Sequence, residues 1–225
     1  MGFFSIPLHR SLIEKYHVSL VREAIIKYSR GKVLDVGCGN KPFYPHIKNT
    51  IDQYIGLEHI DSIHAKEEAD ILGSADNISL PDNHVDTVIL TQVIEHVENP
   101  SAVFKEINRV LKTQGILIVA WPFLYPVHEE PRDFYRYTEF GLLHLAKEAK
   151  MEVISIVPVS GFWITWFGFV SIYVRGKSLL IYTVLYPFLL LLKITCVLFQ
   201  WLDRNSKARM KWTWNYYAIL KKGNE

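Results

Sequence analysis

Gly37 and Gly39 close the run KVLDVGCGN, in which Asp35 stands two residues before the first glycine. A β-branched apolar run ending in glycines reads as a short strand breaking into a tight turn. In an open α/β sheet such a turn borders the ligand crevice at the carboxyl ends of the strands, where bare backbone can approach a nucleotide-like ligand. Two ligands compete for it. A dinucleotide fingerprint wants a third glycine where Pro42 stands. Asp35 would repel a pyrophosphate and attract an ammonium group, which favours the methionine tail of S-adenosylmethionine over NAD. Glu58 ends a second run, QYIGLEH, 21 residues after Gly37, where a carboxylate can accept both hydroxyls of a ribose. The plainer alternative is a tight strand-to-helix turn beside a solvated glutamate.

A second group of reactive residues lies in WPFLYPVHEEPRDFYRYT, which packs His128, Glu129, Glu130, Asp133, Arg136 and Tyr137 among aromatics and prolines. If a hydroxyl is to be modified, a histidine titrating near neutrality is the economical proton acceptor. His128 is the candidate base, with Asp133 to orient it or replace it. An Asp133–Arg136 pair that merely holds the loop is the competing reading. His128, Glu129 and Asp133 have no spacing specific to a metal, so no metal site is expected. His96 is read as local structure before a helix.

The elements that must position these groups alternate along the chain. Ser11–Ser29 has helical apolar spacing and is followed by Gly31. A short extended piece is expected around Asp70 to Ala75, and DTVILTQ from Asp86 reads as a buried strand. Asn99-Pro100 starts a helix that Gly115 should stop. GILIVAWPF, a helix capped by Thr138, and MEVISIVPV follow. Strands alternating with helices predict an α/β fold with a doubly wound, mostly parallel seven-stranded sheet, and WTWNYYAILKK supplies the last strand.

VLDVGCGN, the acid in YIGLEH, GSADNISLPDNHVDTVILTQVIEHVENP and FKEINRVLKTQGILIV resemble, in order, the motifs of class I S-adenosylmethionine-dependent methyltransferases of the type 11 group. The likeness runs from Val33 to Thr138. It implies a Rossmann-like fold, S-adenosylmethionine as cofactor, Asp35, Gly37 and Gly39 at the methionine end, and Glu58 at the ribose. It also implies Ser74, Ala75 and Asp76 at the adenine, and Thr91 and Gln92 beside the sulfonium. The family commonly has Asp where Ser74 stands, and Asp76 or Asp70 could compensate. The loop around His128 is similar to one in a subgroup associated with glycan or cell-envelope gene clusters.

Composition changes after Gly161. Residues 161–202 hold three charges in 42 positions, and residues 161–225 carry nine basic and two acidic groups against 16 and 21 before them. Residues 178–202 could span about 30 Å of hydrocarbon as a helix, but the last strand must return to the sheet, so a single crossing fails. An apolar hairpin lying in one leaflet is expected, with Pro187 as a kink, Lys193 snorkelling, Trp163, Trp166, Trp201, Trp212 and Trp214 at the interface, and Arg204, Lys207, Arg209 and Lys211 against anionic headgroups. A homodimer interface or a lid is the alternative. The expected organisation is a methyltransferase domain of residues 1–160 and 211–225 carrying a helical insertion of 161–210.

Two cysteines, Cys38 and Cys196, suit a reducing cytoplasm. The first ten residues show no targeting signal, and Ile6 stands where myristoylation wants Ser or Thr. No basic cluster of the nucleic-acid-binding kind occurs in residues 1–160. The functional expectation is a methyltransferase peripheral on the cytoplasmic face of a membrane, acting on a small or lipid-linked acceptor, glycan or quinone-like. The alternative is a non-catalytic membrane-attached nucleotide-binding or scaffold protein.

Overall fold

A computed structural model describes residues 14–64, 66–177, 179–203 and 207–223. In chain order these form α1 (Ser19–Tyr28), β1 (Lys32–Val36), α2 (Tyr44–Ile47), β2 (Gln53–Glu58), β3 (Ile71–Leu72), β4 (Val85–Thr91), α3 (Pro100–Val110), β5 (Leu111–Pro122), α4 (Glu139–Glu148), β6 (Met151–Pro158), α5 (Phe162–Arg175), α6 (Leu179–Phe199), α7 (Ala208–Lys211) and β7 (Asn215–Lys222). A single π-helical turn, Glu14–Val18, precedes α1. The start of the expected leading helix, Ser11–Ile13, lies outside the described residues.

The seven strands make one mixed sheet in the order β3-β2-β1-β4-β5-β7-β6. β1 pairs in parallel with β2 and β4, β2 with β3, and β4 with β5. The apolar runs sit where the pattern requires. Val33, Leu34, Val88, Ile89, Leu90, Leu117, Ile118 and Val119 are fully buried, as central parallel strands covered on both faces must be. Lys222 secures β7 by donating to Asn83 Oδ1 at 2.8 Å and to the Leu111 carbonyl at 2.9 Å.

Caps are where the sequence puts them. Asn99 Oδ1 accepts from Ala102 N–H at 3.1 Å and Thr138 Oγ1 from Gly141 N–H at 3.1 Å, each a bond whose removal typically costs about 0.5–2 kcal/mol. One boundary differs. The helix expected to run to Gly115 ends at Val110, and β5 begins at Leu111. Buried Leu111 pairs with Val85 across a register shift, and Lys112 is tied to Asp86 at 2.8 and 2.9 Å. Strand pairing and an ion pair override the local helical pattern there.

The chain divides into two compact units. One contains Val21–Pro122, Val127–Val157 and the chain from Tyr217 onward. The other contains Phe123–Pro126, Pro158–Tyr216 and the described residues up to Leu20. In the second unit α5 and α6 meet through Ile164 and Phe167 of the first helix and Tyr182, Leu189 and Cys196 of the second, a seven-residue repeat on α6. Trp214 is buried, and a Cβ on Gly168 would lie 2.2 Å from its ring. The expectation that Trp214 serves a membrane interface is therefore corrected, because its ring fills the notch left by Gly168. Trp166, Trp201 and Trp212 are exposed. Arg209 is also turned inward, donating to the carbonyls of Ser160 and Pro158 at 3.3 and 3.0 Å. Both cysteines are free and buried.

Candidate active site

β1 carries Asp35 near its carboxyl end, between β2 and β4, with only 1% of its surface exposed. The Tyr54 hydroxyl donates to its Oδ2, a partner that the sequence pattern does not reveal. Burial outweighs that bond and pushes the Asp35 carboxyl up to about 7, with the neighbouring Glu58 adding to the rise. The turn that follows is left-handed at both glycines, φ 74° at Gly37 and 47° at Gly39. A Cβ on Gly37 would strike Val93 Cγ2 at 2.3 Å, whereas one on Gly39 would meet nothing within 4 Å. Gly37 is thus needed for packing, and Gly39 leaves open space.

Glu58 closes β2 beneath that space. Its Oε2 accepts from Gly39 N–H at 2.8 Å and its Oε1 from His59 N–H at 3.1 Å, which fixes the carboxylate and leaves two of its roughly four acceptor positions unused. Ser74, Ala75 and Asp76 form a tight turn in which the Ser74 hydroxyl donates to Asp76 Oδ1 at 2.5 Å and Asn77 N–H closes on the Ser74 carbonyl at 3.1 Å. Asp70 is engaged elsewhere, accepting from Gly56 N–H at 2.7 Å and from Lys41 Nζ at 2.8 Å. Thr91 ends β4. Gln92 follows in the left-handed region, φ 54°, with its N–H on the Ala120 carbonyl at 2.8 Å. Its Nε2 is buried without a hydrogen-bond partner.

These features fit S-adenosylmethionine. Gly39 leaves a cradle, fixed Glu58 has acceptor capacity to spare, Asp35 can face an ammonium, and an orphaned amide donor waits beside β4.

The segment after β5 brings the second group together. Asp133, 1% exposed at its side chain, receives both Arg136 Nη atoms at 2.6 and 2.7 Å and the His128 N–H at 2.8 Å. Burial alone would raise this carboxyl; the Arg136 bonds and the His128 N–H outweigh it and hold the acid at about 2. His128 Nδ1 lies 3.2 Å from Asp133 Oδ2. Burial is the main reason the His128 ring sits below the usual imidazole range. The Asp133–Arg136 pair and the Asp133–His128 contact therefore coexist. Arg132 ties the loop to the segment after β2, 3.1 Å from Asp61 Oδ2.

Two residues given no chemical part by the sequence pattern join this group. Glu95 and His96 lie in a short 3-10 turn, Ile94–His96, after β4. His96 stacks edge-on against His128 at 4.9 Å between ring centroids. Glu95 is fully buried, which pushes its carboxyl up to about 8. The sequence signal was present in EHVENP, but no spacing within that stretch points across to residue 128.

Compared with known proteins, residues 34–119 match the family model described as a methyltransferase domain. A Mycolicibacterium smegmatis protein described as a probable S-adenosylmethionine-dependent methyltransferase is 33% identical over 96 residues, covering 40% of this chain and 37% of that protein. The chain thus spans little more than a third of that relative's length.

Among solved structures, an S-adenosylmethionine-dependent methyltransferase from Mesorhizobium loti aligns with a TM-score of 0.58 at 12% identity, covering 92% of this chain and 97% of its own. The [4+2]-cyclase SpnF aligns with the same TM-score at 18% identity, covering 92% and 80%. At such identities the likeness is one of fold. The match to a methyltransferase domain spans residues 34–119, the stretch that also holds Asp35, Gly37, Gly39, Glu58, the turn at Ser74–Asp76, Thr91 and Gln92.

Proposed function

We propose that this chain transfers a methyl group from S-adenosylmethionine to an amphipathic or lipid-linked acceptor, a glycan or quinone-like molecule, while docked on the cytoplasmic face of a membrane. The observation that carries the membrane part is the outward face of α6. Leu180, Val184, Phe188 and Leu191 recur there at helical spacing, each at least 62% exposed. Soluble surfaces seldom present such a stripe without a partner. Residues 180–203 are long and apolar enough to cross a bilayer, but the return of the chain to β7 favours a hairpin lying in one leaflet. Lys207 and Lys211 are exposed and on this reading would meet headgroups, whereas Arg204 lies outside the described residues.

When bound, the cofactor supplies a methyl already activated on a sulfonium, so positioning and exclusion of water can account for much of the rate. Asp35 would hold the ammonium, Glu58 the ribose hydroxyls, the turn at Ser74–Asp76 the adenine, and Thr91 with Gln92 the sulfonium end. His128, uncharged at neutral pH, would take the proton of an acceptor hydroxyl while Asp133, kept ionised by Arg136, orients the ring. The deciding experiment is transfer of a tritiated methyl to membrane lipid extracts. Label in the organic phase is expected, and label confined to water-soluble products would overturn the lipid-linked acceptor.

Glu58→Ala should weaken cofactor binding by about 1–3 kcal/mol through loss of charge-assisted bonds, measured by calorimetry with S-adenosylhomocysteine. NAD should give no heat. Tight NAD binding without a response to S-adenosylhomocysteine would reverse the assignment.

Affinity should also depend on pH in a defined direction. With its carboxyl raised to about 7, Asp35 holds a proton in the empty site below that pH and must release it to face an ammonium. Cofactor affinity therefore rises with pH up to about 7 and is flat above it, with a slope approaching tenfold per unit on the acid side. The same raised carboxyl makes the empty protein less stable as pH rises from the unfolded-state value of about 4 towards 7, because the folded state then binds more protons than the unfolded one. A pH-independent affinity between pH 5 and pH 8 would remove Asp35 from the ammonium site.

A further inference from the structure

We propose that Glu95, His96 and His128 form a binding site for one divalent transition-metal ion of the zinc class. One ligand atom from each of the three lies within 4.8 Å of the other two. His96 Nε2 is 3.8 Å from Glu95 Oε1 and 3.9 Å from Glu129 Oε2. Tetrahedral zinc bonds of about 2.0–2.2 Å set neighbouring donors roughly 3.4 Å apart, so side-chain rotations of about an ångström close the set. Two imidazoles and a carboxylate suit zinc and its neighbours rather than magnesium or calcium.

A second observation is Glu95 itself. It is fully buried, and neither carboxylate oxygen has a hydrogen-bond partner. Buried carboxyls are ordinarily satisfied, and the loop's hydrogen bonds to residue 95 do not use its side chain. The loop docks on residue 95 through its backbone, with Phe134 N–H and Tyr135 N–H donating to the Glu95 carbonyl at 2.8 and 3.3 Å. Any side chain at that position would leave those bonds intact.

The histidines are held as metal ligands are held, through their other ring nitrogen. His96 Nδ1 lies 2.5 Å from the Arg132 carbonyl oxygen, which can only accept, so Nδ1 carries the proton and Nε2 the lone pair facing Glu95. At His128, Nδ1 sits 3.2 Å from the Asp133 carboxylate. Nδ1 faces two partners of opposite kind, Arg136 Nη2 at 3.3 Å, which can only donate, and the Asp133 carboxylate, which accepts; an ion selects the tautomer in which Nδ1 donates to Asp133. Nε2 is then the ligating atom. The sequence-based expectation against a metal concerned His128, Glu129 and Asp133; here Asp133 stands behind the histidine and Glu95 takes its place.

For its consequence, though not for its existence, the site rests on the methyltransferase reading. Three protein donors leave a coordination position open. An acceptor hydroxyl bound there would lose its proton more readily, to solvent water rather than to His128, and His128, its lone pair given to the ion, would act as a ligand in the loaded protein.

The test uses the full chain stripped with a chelator, titrated with Zn²⁺ by calorimetry and with Co²⁺ by visible absorption. One ion per chain, a raised Tm and cobalt bands of low coordination number are expected. Glu95→Gln and His96→Ala should each weaken binding by at least about 100-fold, and Asp133→Asn by about 10–100-fold. His64→Ala, at an exposed position beside Glu129, should leave it unchanged. If Glu95→Gln fails to fold, His96→Ala decides. No stoichiometric ion, equal affinity in both ligand variants, or loss in His64→Ala would overturn the site. Ion binding without methyl transfer would leave the site standing and sink the methyltransferase reading, and transfer without ion binding would do the reverse.

Discussion

His128→Ala should lower turnover by about 10²–10⁴ while leaving affinity for S-adenosylhomocysteine nearly unchanged, the usual cost of losing a positioned proton acceptor. The ring lies in the loop after β5 and takes no part in the Tyr54–Asp35, Gly39–Glu58 and His59–Glu58 hydrogen bonds of the candidate cofactor site, so the loss should fall on the chemical step. Single-turnover kinetics with saturating cofactor would measure it. Asp133 keeps both Arg136 bonds in the variant, so the loop should remain in place. Turnover within a factor of two of the parent would make His128 a structural residue. A chelator separates the two chemical roles. If the ring is a free base, metal-stripped parent protein keeps full activity; if it is a ligand, stripping reproduces the loss seen in His128→Ala.

Changing Leu180, Val184, Phe188 and Leu191 together to glutamine should abolish flotation with anionic liposomes without disturbing the fold. Full burial of such side chains is worth about 1.5–3 kcal/mol each. Even at half that depth the four lose about 3–6 kcal/mol, a weakening of about 10²–10⁴ in partition. Glutamine keeps helix propensity, and the seam through Tyr182, Leu189 and Cys196 is left alone. The parent should be weakened but not released by salt, since Lys207 and Lys211 add only about 1 kcal/mol each near the surface. A dimer in plain buffer that these changes dissociate, with no liposome binding by the parent, would assign the stripe to a second copy instead. Excising residues 161–202 is a poorer test. Thr165 donates to the Trp212 carbonyl at 2.9 Å, and Ser160 receives Trp214 N–H at 2.9 Å and sits against Thr165 at 3.0 Å, so removal would strip the approach to β7 of its partners.

Periodicity and turn chemistry were enough to read most strands, the two capped helices and the glycine turn, because those features are decided within a dozen residues. Asp35, Gly39 and Glu58 come together because adjacent parallel strands bring their carboxyl ends together. What stayed hidden depends on contacts between distant segments. Tyr54 reaches Asp35 only through the register that sets Leu34 against Ile55. Glu95 and His96 meet His128 only once the loop after β5 folds back. Leu111 leaves its helix because Val85 captures it. Trp214 and Arg209 looked like interface residues by composition, and both turned inward where Gly168 and the carbonyls of Pro158 and Ser160 received them.

The place of β7 has a consequence for biogenesis. It follows the other six described strands in sequence, yet it lies between β5 and β6, so β6 cannot take its final place when it leaves the ribosome and the sheet remains open through the synthesis of α5 and α6. At translation rates of about 5–20 residues per second, the segment separating the end of α6 from the end of β7 takes on the order of seconds to appear. During that interval the most apolar part of the chain is exposed and the strand that would anchor it does not yet exist. On the membrane reading, the bilayer is therefore met by the nascent chain, and attachment comes before the sheet is complete.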